Sequence, residues 1–337
     1  MFYLHNPNQL YKNKPITLNS EVISHFSPDN FSIMEFRSDR DYQLCRKIKG
    51  KHQLLGETEY KLRAKFHMTN DSNLFSSKNK LGNLPLYEGK MIHQYNSNFG
   101  LPRYFLNEEQ TKTTLMRKEL LRIKKLCKTN NFEHLFSENN FLLDYQTYRL
   151  VHRKIGRSTD ELTLISTVIP KNVFASESNT HVINCSYSNL KNELKQKVIP
   201  SSDLITLMAL LNSLVLNYYI RNKISANLNM FYLYELPIPK ANKKQTQQIV
   251  EKAFTLLYAK SKSELYEDLR QELKLSPINP EALDLVQIRA ELEVIIAKLY
   301  GLNQQDWTYL TSTFTYGGKS ATKKELDEII KRSVEVF

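Results

Sequence analysis

Leu204 to Tyr219 is the most apolar stretch of the chain, and it limits the possible folds more than any other segment. Leu207, Leu210, Leu211, Leu214, Val215 and Tyr218 recur at helical spacing, so one helix over 203–222 must have a face covered by other elements. Thr206, Asn212, Ser213 and Asn217 interrupt the run, which reads as a buried core helix and not as a membrane span. A chain of 337 residues, 41% hydrophobic and 24% charged, is long enough for two domains, or one large domain with an appendage, each with its own core.

Around that helix the pattern changes along the chain. Residues 1–34 mix Pro, Asn and Ser with short apolar runs such as Val22-Ile23 and read as a connecting segment holding one strand at most. Ser38 or Asp39 can cap a short helix that Gly50 stops. Glu59 to Met68 alternate, so a strand there sets Lys61, Arg63, Lys65 and His67 on one face, with Tyr60, Leu62 and Phe66 toward the core. Pro85 and Gly89 punctuate a turn before another short strand, and residues 112–128 form a basic amphipathic helix. Tyr148–His152 and Leu162–Ile169 read as a hairpin. Leu236-Pro237-Ile238-Pro239 closes this unit in extended form, and helices follow at about 244–259, 263–273, 280–300, 303–313 and 322–334. The expectation is an α+β fold: a mixed-sheet domain over 35–240, then a mainly helical region over 241–337.

Charge divides at the same place. The formal net charge is +12. Residues 241–337 carry 14 Lys and Arg against 14 Asp and Glu, whereas residues 1–240 carry 33 against 21 and hold the whole excess. A localised basic field with 11% aromatic residues suits a surface that tracks phosphates, and a generally basic protein is the plain alternative.

Several chemistries lack their residues. Cys45, Cys127 and Cys185 lie far apart, without the spacing of a disulfide framework or a zinc ribbon, and read as reduced thiols. The N-terminus shows no basic region followed by an apolar run, so the expected compartment is the cytoplasm. No glycine-rich turn follows a strand, so no dinucleotide, S-adenosylmethionine or nucleotide-triphosphate loop is visible, and no Pro-Pro dipeptide occurs. Pro28-Asp29 and Glu59-Tyr60-Lys61 formally match a metal-nuclease pattern, but Asp29 sits in a turn-like sequence and such a short pattern arises often by chance. The expected metal, cofactor and catalytic sets within this chain are empty.

Six stretches carry a family resemblance. His67-Met68-Thr69-Asn70-Asp71-Ser72-Asn73-Leu74-Phe75 and Leu84-Pro85-Leu86-Tyr87-Glu88-Gly89-Lys90-Met91-Ile92-His93-Gln94-Tyr95 are similar to the C-terminal half of Type IIG and PglX-type (BREX) adenine-specific DNA methyltransferases. Tyr148–Arg153, Thr167–Pro170 and Leu210–Val215 with Leu236–Pro239 resemble the same family in the same order, and Ile288–Leu302 resembles its closing helix. The resemblance spans roughly Phe36 to Phe314. It implies a TaqI-like specificity domain that grips duplex DNA and works with a separate catalytic domain or subunit, on which S-adenosylmethionine would be bound. The chain is then a split subunit, a remnant or a fragment, and Met1 is compatible with a native start.

Nine residues are the expected DNA contacts. Lys90, His93 and Gln94 flank a glycine that lets backbone approach a partner, with a structural hairpin as the alternative. Arg149 and Arg153 share one strand face and can present guanidiniums to phosphates or pair with acids such as Asp144. Lys171, beside Asn172, and Arg221, Lys223 and Asn227 lie in polar loops where adaptable contacts are built, or where charges are merely solvated. Two other readings stand beside DNA recognition: an assembly subunit of a phage-defence system docking through the neutral tail, and a metal nuclease using Asp29, Glu59 and Lys61.

Overall fold

The computed structural model describes residues 18–127, 141–190, 193–224 and 226–337. Asn19 accepts the Val22 N–H and opens helix α1 (Ser20–Phe26), so the described part of the N-terminal segment holds a helix where a strand was expected. Helix α2 (Asp39–Lys49) is capped by Ser38, and Gly50 ends it at a φ of 45°, as its sequence predicts.

The sheet half is built from short strands. Strands β1 (Gln53–Leu54), β2 (Leu62–Arg63), β3 (Asn83–Tyr87) and β4 (Phe105–Asn107) lead into helix α3 (Glu108–Cys127). Then come β5 (Arg149–Arg153), β6 (Ser166–Ile169), β7 (Phe174–Ala175), β8 (Asn179–Val182), β9 (Cys185–Leu190) and β10 (Glu193–Val198). The strand expected over 59–68 shrinks to β2, where Leu62 and Arg63 pair with β8, and beyond it Phe66 forms only an isolated bridge with Ser176. The expected hairpin forms: β5 pairs β6 antiparallel, with Arg149 opposite Ile169. One sheet runs β2-β8-β5-β6, and a second, β4-β3-β7, is mixed, since β3 pairs β4 antiparallel and β7 in parallel.

The helix expected over 203–222 is two helices, α4 (Ser201–Asn212) and α5 (Leu214–Arg221), bent by 54°. Ser213 is extended at the break and accepts the Leu216 N–H, so it starts a new helix inside an apolar run. Asn212 fixes the break to the sheet: its amide exchanges two bonds of 2.9 Å with the backbone of Ser166. The predicted stripe from Leu207 to Tyr218 is buried throughout. No single helix among the described residues is long and apolar enough to cross a membrane.

After α6 (Met230–Tyr234), strand β11 (Pro237–Ile238) pairs β1. Helices α7 (Lys243–Lys260), α8 (Glu267–Glu272), α9 (Leu285–Leu299), α10 (Gln304–Ser312) and α11 (Ala321–Glu335) complete an α+β protein. Packing does not stop at residue 240. Helix α7 lies on α4 and α9, and α9 on α5, so Phe26, Leu150, Leu211, Phe254 and Ile296 share one core. A smaller core under α3 gathers Phe66, Leu86, Ile123, Phe174 and Tyr187, and Val151 and Ile169 join a third apolar cluster with Tyr87 and Ile92.

Candidate nucleic-acid interface

Strand β3 ends at Tyr87, and the chain then runs through residues 88–104 as a loop fastened along its inner side. The Gly89 N–H donates to Ser178 Oγ at 3.0 Å, and Arg153 donates through Nε to the Gly89 carbonyl at 2.7 Å and through Nη2 to that of Ile92. A Cβ on Gly89 would lie 3.1 Å from the Ser178 carbonyl, and one on Gly100 only 2.8 Å from that of Lys90, so both glycines serve close backbone approach. Tyr95, at a φ of 58°, donates its N–H to Ser166 and packs beneath the Arg289 guanidinium.

The outer side of the same loop is open. Lys90 is exposed, 3.3 Å from Glu88, and Phe99 and Leu101 are 49% and 84% exposed. Arg103 lies 4.2 Å over the Tyr104 ring, and the His93 ring packs 4.8 Å from that of Phe99. Burial first, then Arg153, Lys260 and Arg289, push the His93 imidazole down to about 3, so it is neutral near pH 7. A neutral imidazole offers one donor and one acceptor, which suits a base edge and not a phosphate.

The nine expected contacts separate by burial. Lys90 and Asn227 are exposed, and Lys171 reaches Asp268 at 3.1 Å and the face of Tyr148 at 4.8 Å. His93 and Arg153 are half-buried. Gln94, Arg149, Arg221 and Lys223 are buried, which corrects the expectation that they are presented at the surface. Gln94 donates to the Leu164 and Asn212 carbonyls, and Arg149 to that of Val173. Arg221 donates to the Asp160 and Glu161 carbonyls at 2.8 and 2.7 Å and packs 4.4 Å over Phe314. Lys223 pairs with buried Glu235 and donates to the Phe26 carbonyl. Arg149 and Arg153 do share one face of β5, but β5 lies between β8 and β6 and both its faces are covered.

Arg149 lies instead in the electrostatic neighbourhood of Asp144, the acid named as its alternative partner. Burial would raise the Asp144 carboxyl, yet Lys65 at 3.0 Å, His181 at 3.1 Å and Arg149 outweigh it and hold the group well below the usual range. Lys65, expected on an open strand face, is therefore turned inward. Phe99, Leu101 and Arg103 were not singled out from sequence. Their signal was an aromatic and a leucine beside Gly100 and Pro102, residues that hold a loop open to solvent.

Other expectations are also placed. Asp29 lies in a turn, and Glu59 pairs with Lys197. Among the described residues no group of three or more His, Cys, Asp or Glu converges as a metal site. Cys45 and Cys185 are buried free thiols, while the Cys127 side chain lies outside the described residues.

No protein-family model matches this chain, and no curated protein does. Solved structures do match, among them the Type IIL restriction–modification enzyme MmeI in complex with DNA, at 15% identity and a TM-score of 0.43. That match covers 86% of this chain and 36% of the enzyme, so the chain spans about a third of its length. At this identity and score the likeness identifies neither a family nor a function for the chain.

Proposed function

We propose that this chain is a DNA target-recognition module of an adenine-specific methyltransferase or restriction–modification system, acting with a separate S-adenosylmethionine-dependent catalytic domain or subunit. The observation that carries the reading is the loop over 88–104, rigid on its inner side and open on its outer side, with Lys90, Phe99, Leu101 and Arg103 displayed. Cations for phosphates and rigid apolar groups for bases, held on a fixed backbone, are what sequence reading needs. The location of the entire +12 charge in residues 1–240 agrees with it.

The test is retention of random duplex DNA by the purified chain at two salt concentrations, followed by sequencing. Enrichment of a short motif supports an autonomous specificity module. Salt-sensitive retention without enrichment assigns sequence reading to the assembled enzyme, and no retention overturns the proposal.

The assembly reading has one observation in its favour, the neutral balance of residues 241–337. Helices α7 and α9 are spent on the shared core, so only the outward faces of this region are left for a partner. Charge reversals on those faces, followed by affinity capture with the cognate methyltransferase subunit, would separate the two readings.

A further inference from the structure

A cavity of about 290 Å³ opens between α3 and the segment that follows β2. Helix α3 contributes Leu115, Lys118, Glu119 and Arg122 to it, the segment contributes Arg63, Lys65, Phe66 and Asp71, and Leu142, Asp144 and Tyr187 close it. The DNA reading above uses none of these residues.

The acids of the cavity are already satisfied. Asp144 Oδ1 accepts the N–H groups of Asn184 and Cys185 at 2.8 and 3.2 Å, while Oδ2 meets Lys65 at 3.0 Å and His181 at 3.1 Å. With three hydrogen bonds accepted and His181 in contact, this carboxylate is committed within the protein. Glu119 Oε1 accepts Nε and Nη2 of Arg122, and Oε2 lies 3.9 Å from Arg63. Asp71 accepts the His67 N–H at 2.7 Å.

The cations are not all used. Lys118 has no ion pair among the described residues, and the Lys65 ammonium keeps two N–H groups beyond the one given to Asp144. Four cations face three satisfied carboxylates, so the space attracts an anion. Its remaining wall, Phe66, Leu115, Leu142 and the Tyr187 ring stacked 4.7 Å from Phe141, is apolar and partly aromatic. Burial raises the Cys185 thiol to about 11, so it stays protonated and weakly nucleophilic near pH 7.

We infer that the cavity binds a nucleoside 5′-phosphate, with the phosphate met by Arg63, Lys118 and Arg122 and the base laid against Phe66, Leu115 and Leu142. Ligand pockets run from about 300 to 1,000 Å³, and at about 290 Å³ this one stands at the small end, the size class of a single nucleotide. Free mononucleotide and the 5′-phosphorylated end of a single strand present the same chemistry.

The test is calorimetric titration of the full chain with AMP, adenosine, inorganic phosphate and a 5′-phosphorylated single-stranded oligonucleotide. AMP is expected to saturate, with adenosine and phosphate each at least about tenfold weaker, since each keeps only half of the contacts. Lys118→Ala should weaken AMP about tenfold, and Leu115→Trp should abolish binding by filling the space. Displacement of AMP by the oligonucleotide would identify a strand end as the occupant; its failure to compete would identify the free nucleotide. No saturable binding at millimolar AMP, equal affinity for AMP and phosphate, or unchanged affinity in Lys118→Ala would overturn the inference. The outcome is separable from the DNA reading, because duplex retention is scored independently on the same samples.

Discussion

Arg289 of α9 donates through Nη2 to Gln94 Oε1 at 3.0 Å, joining the helical region to the loop that follows β3 across 195 residues of sequence. The same guanidinium donates to the Asn212 carbonyl at 2.7 Å and to Glu293 at 2.7 Å, and Glu293 in turn accepts the Leu214 N–H at the start of α5. One buried arginine thus holds the loop, the break between α4 and α5, and α9 in register. Arg289→Ala would leave the Glu293 carboxylate buried without its partner, so a loss of about 3–5 kcal/mol in unfolding free energy is expected. Arg289→Lys should fall between, since it keeps the charge and loses the fork. Urea denaturation followed by circular dichroism measures both, and a loss of less than about 1 kcal/mol for the alanine variant would contradict the tie.

Lys90 and Arg103 are the exposed cations of the loop, and each is expected to contact one phosphate. Lys90→Ala and Arg103→Ala should each lower the slope of log affinity against log salt by about one and weaken all sequences alike. Phe99→Ala should lower affinity and leave the slope unchanged, because no counterion is involved. Filter binding at four salt concentrations reads both quantities. Unchanged slopes in the two cation variants would remove the loop from the interface. Arg149→Ala plus Arg153→Ala is unsuitable as a DNA-contact control, since both guanidiniums hold backbone carbonyls inside the protein.

The elements legible in the sequence were those whose signals are local. Ser38 and Gly50 mark the ends of α2, the β5–β6 hairpin follows from two β-rich runs, and the stripe in α4 and α5 follows from helical spacing. What escaped depends on distant partners. The apolar stripe keeps its helical spacing from Leu207 to Tyr218 across Ser213, and only the bonds of the neighbouring Asn212 to Ser166, with Glu293 beneath Leu214, show why the helix breaks there. Arg149, Arg221 and Lys223 looked available because their partners are the carbonyls of Val173, Asp160, Glu161 and Phe26, and no residue type announces a free carbonyl. Lys65 likewise gave the alternation of an open strand while its true partner, Asp144, lay far along the chain.

His152 and His181 are fully buried, and burial, the largest influence on each, lowers both to about 4. In the unfolded chain they titrate near 6.5. Between those values the unfolded state takes up protons that the folded state refuses, so stability present above pH 6.5 is lost as the pH falls toward 4. The expected loss is about 2 kcal/mol per histidine by pH 5. Asp144, held below its usual range, acts in the same direction at still lower pH. His93, pushed down to about 3, loses stability in the same window, so urea midpoints from pH 8 to pH 5 should fall steadily and His152→Gln should remove about a third of the drop. A flat profile would mean that these imidazoles are protonated or exposed in the folded protein.

Gly156 lies where the loop between β5 and β6 meets the segment 226–228. Its N–H faces the Ala226 carbonyl, Ile155 bridges to Asn227, and Leu228 donates its N–H to Lys154. A Cβ at Gly156 would fall 2.2 Å from the Thr163 carbonyl and 3.1 Å from Leu228, so backbone, and not a flexible side chain, would have to move. Gly156→Ala is therefore expected to cost about 3 kcal/mol, the upper end for overpacking. Gly301 provides the contrast: its φ of 69° disfavours a side chain, but nothing lies within 4 Å of the added atom, and Gly301→Ala should cost only about 1 kcal/mol. Thermal and urea unfolding of the two variants decide the order. Equal losses would mean that the contact with Thr163 relaxes freely. The larger loss at Gly156 would show that the exposed Asn227, a candidate DNA contact, is held in place by backbone packing behind it.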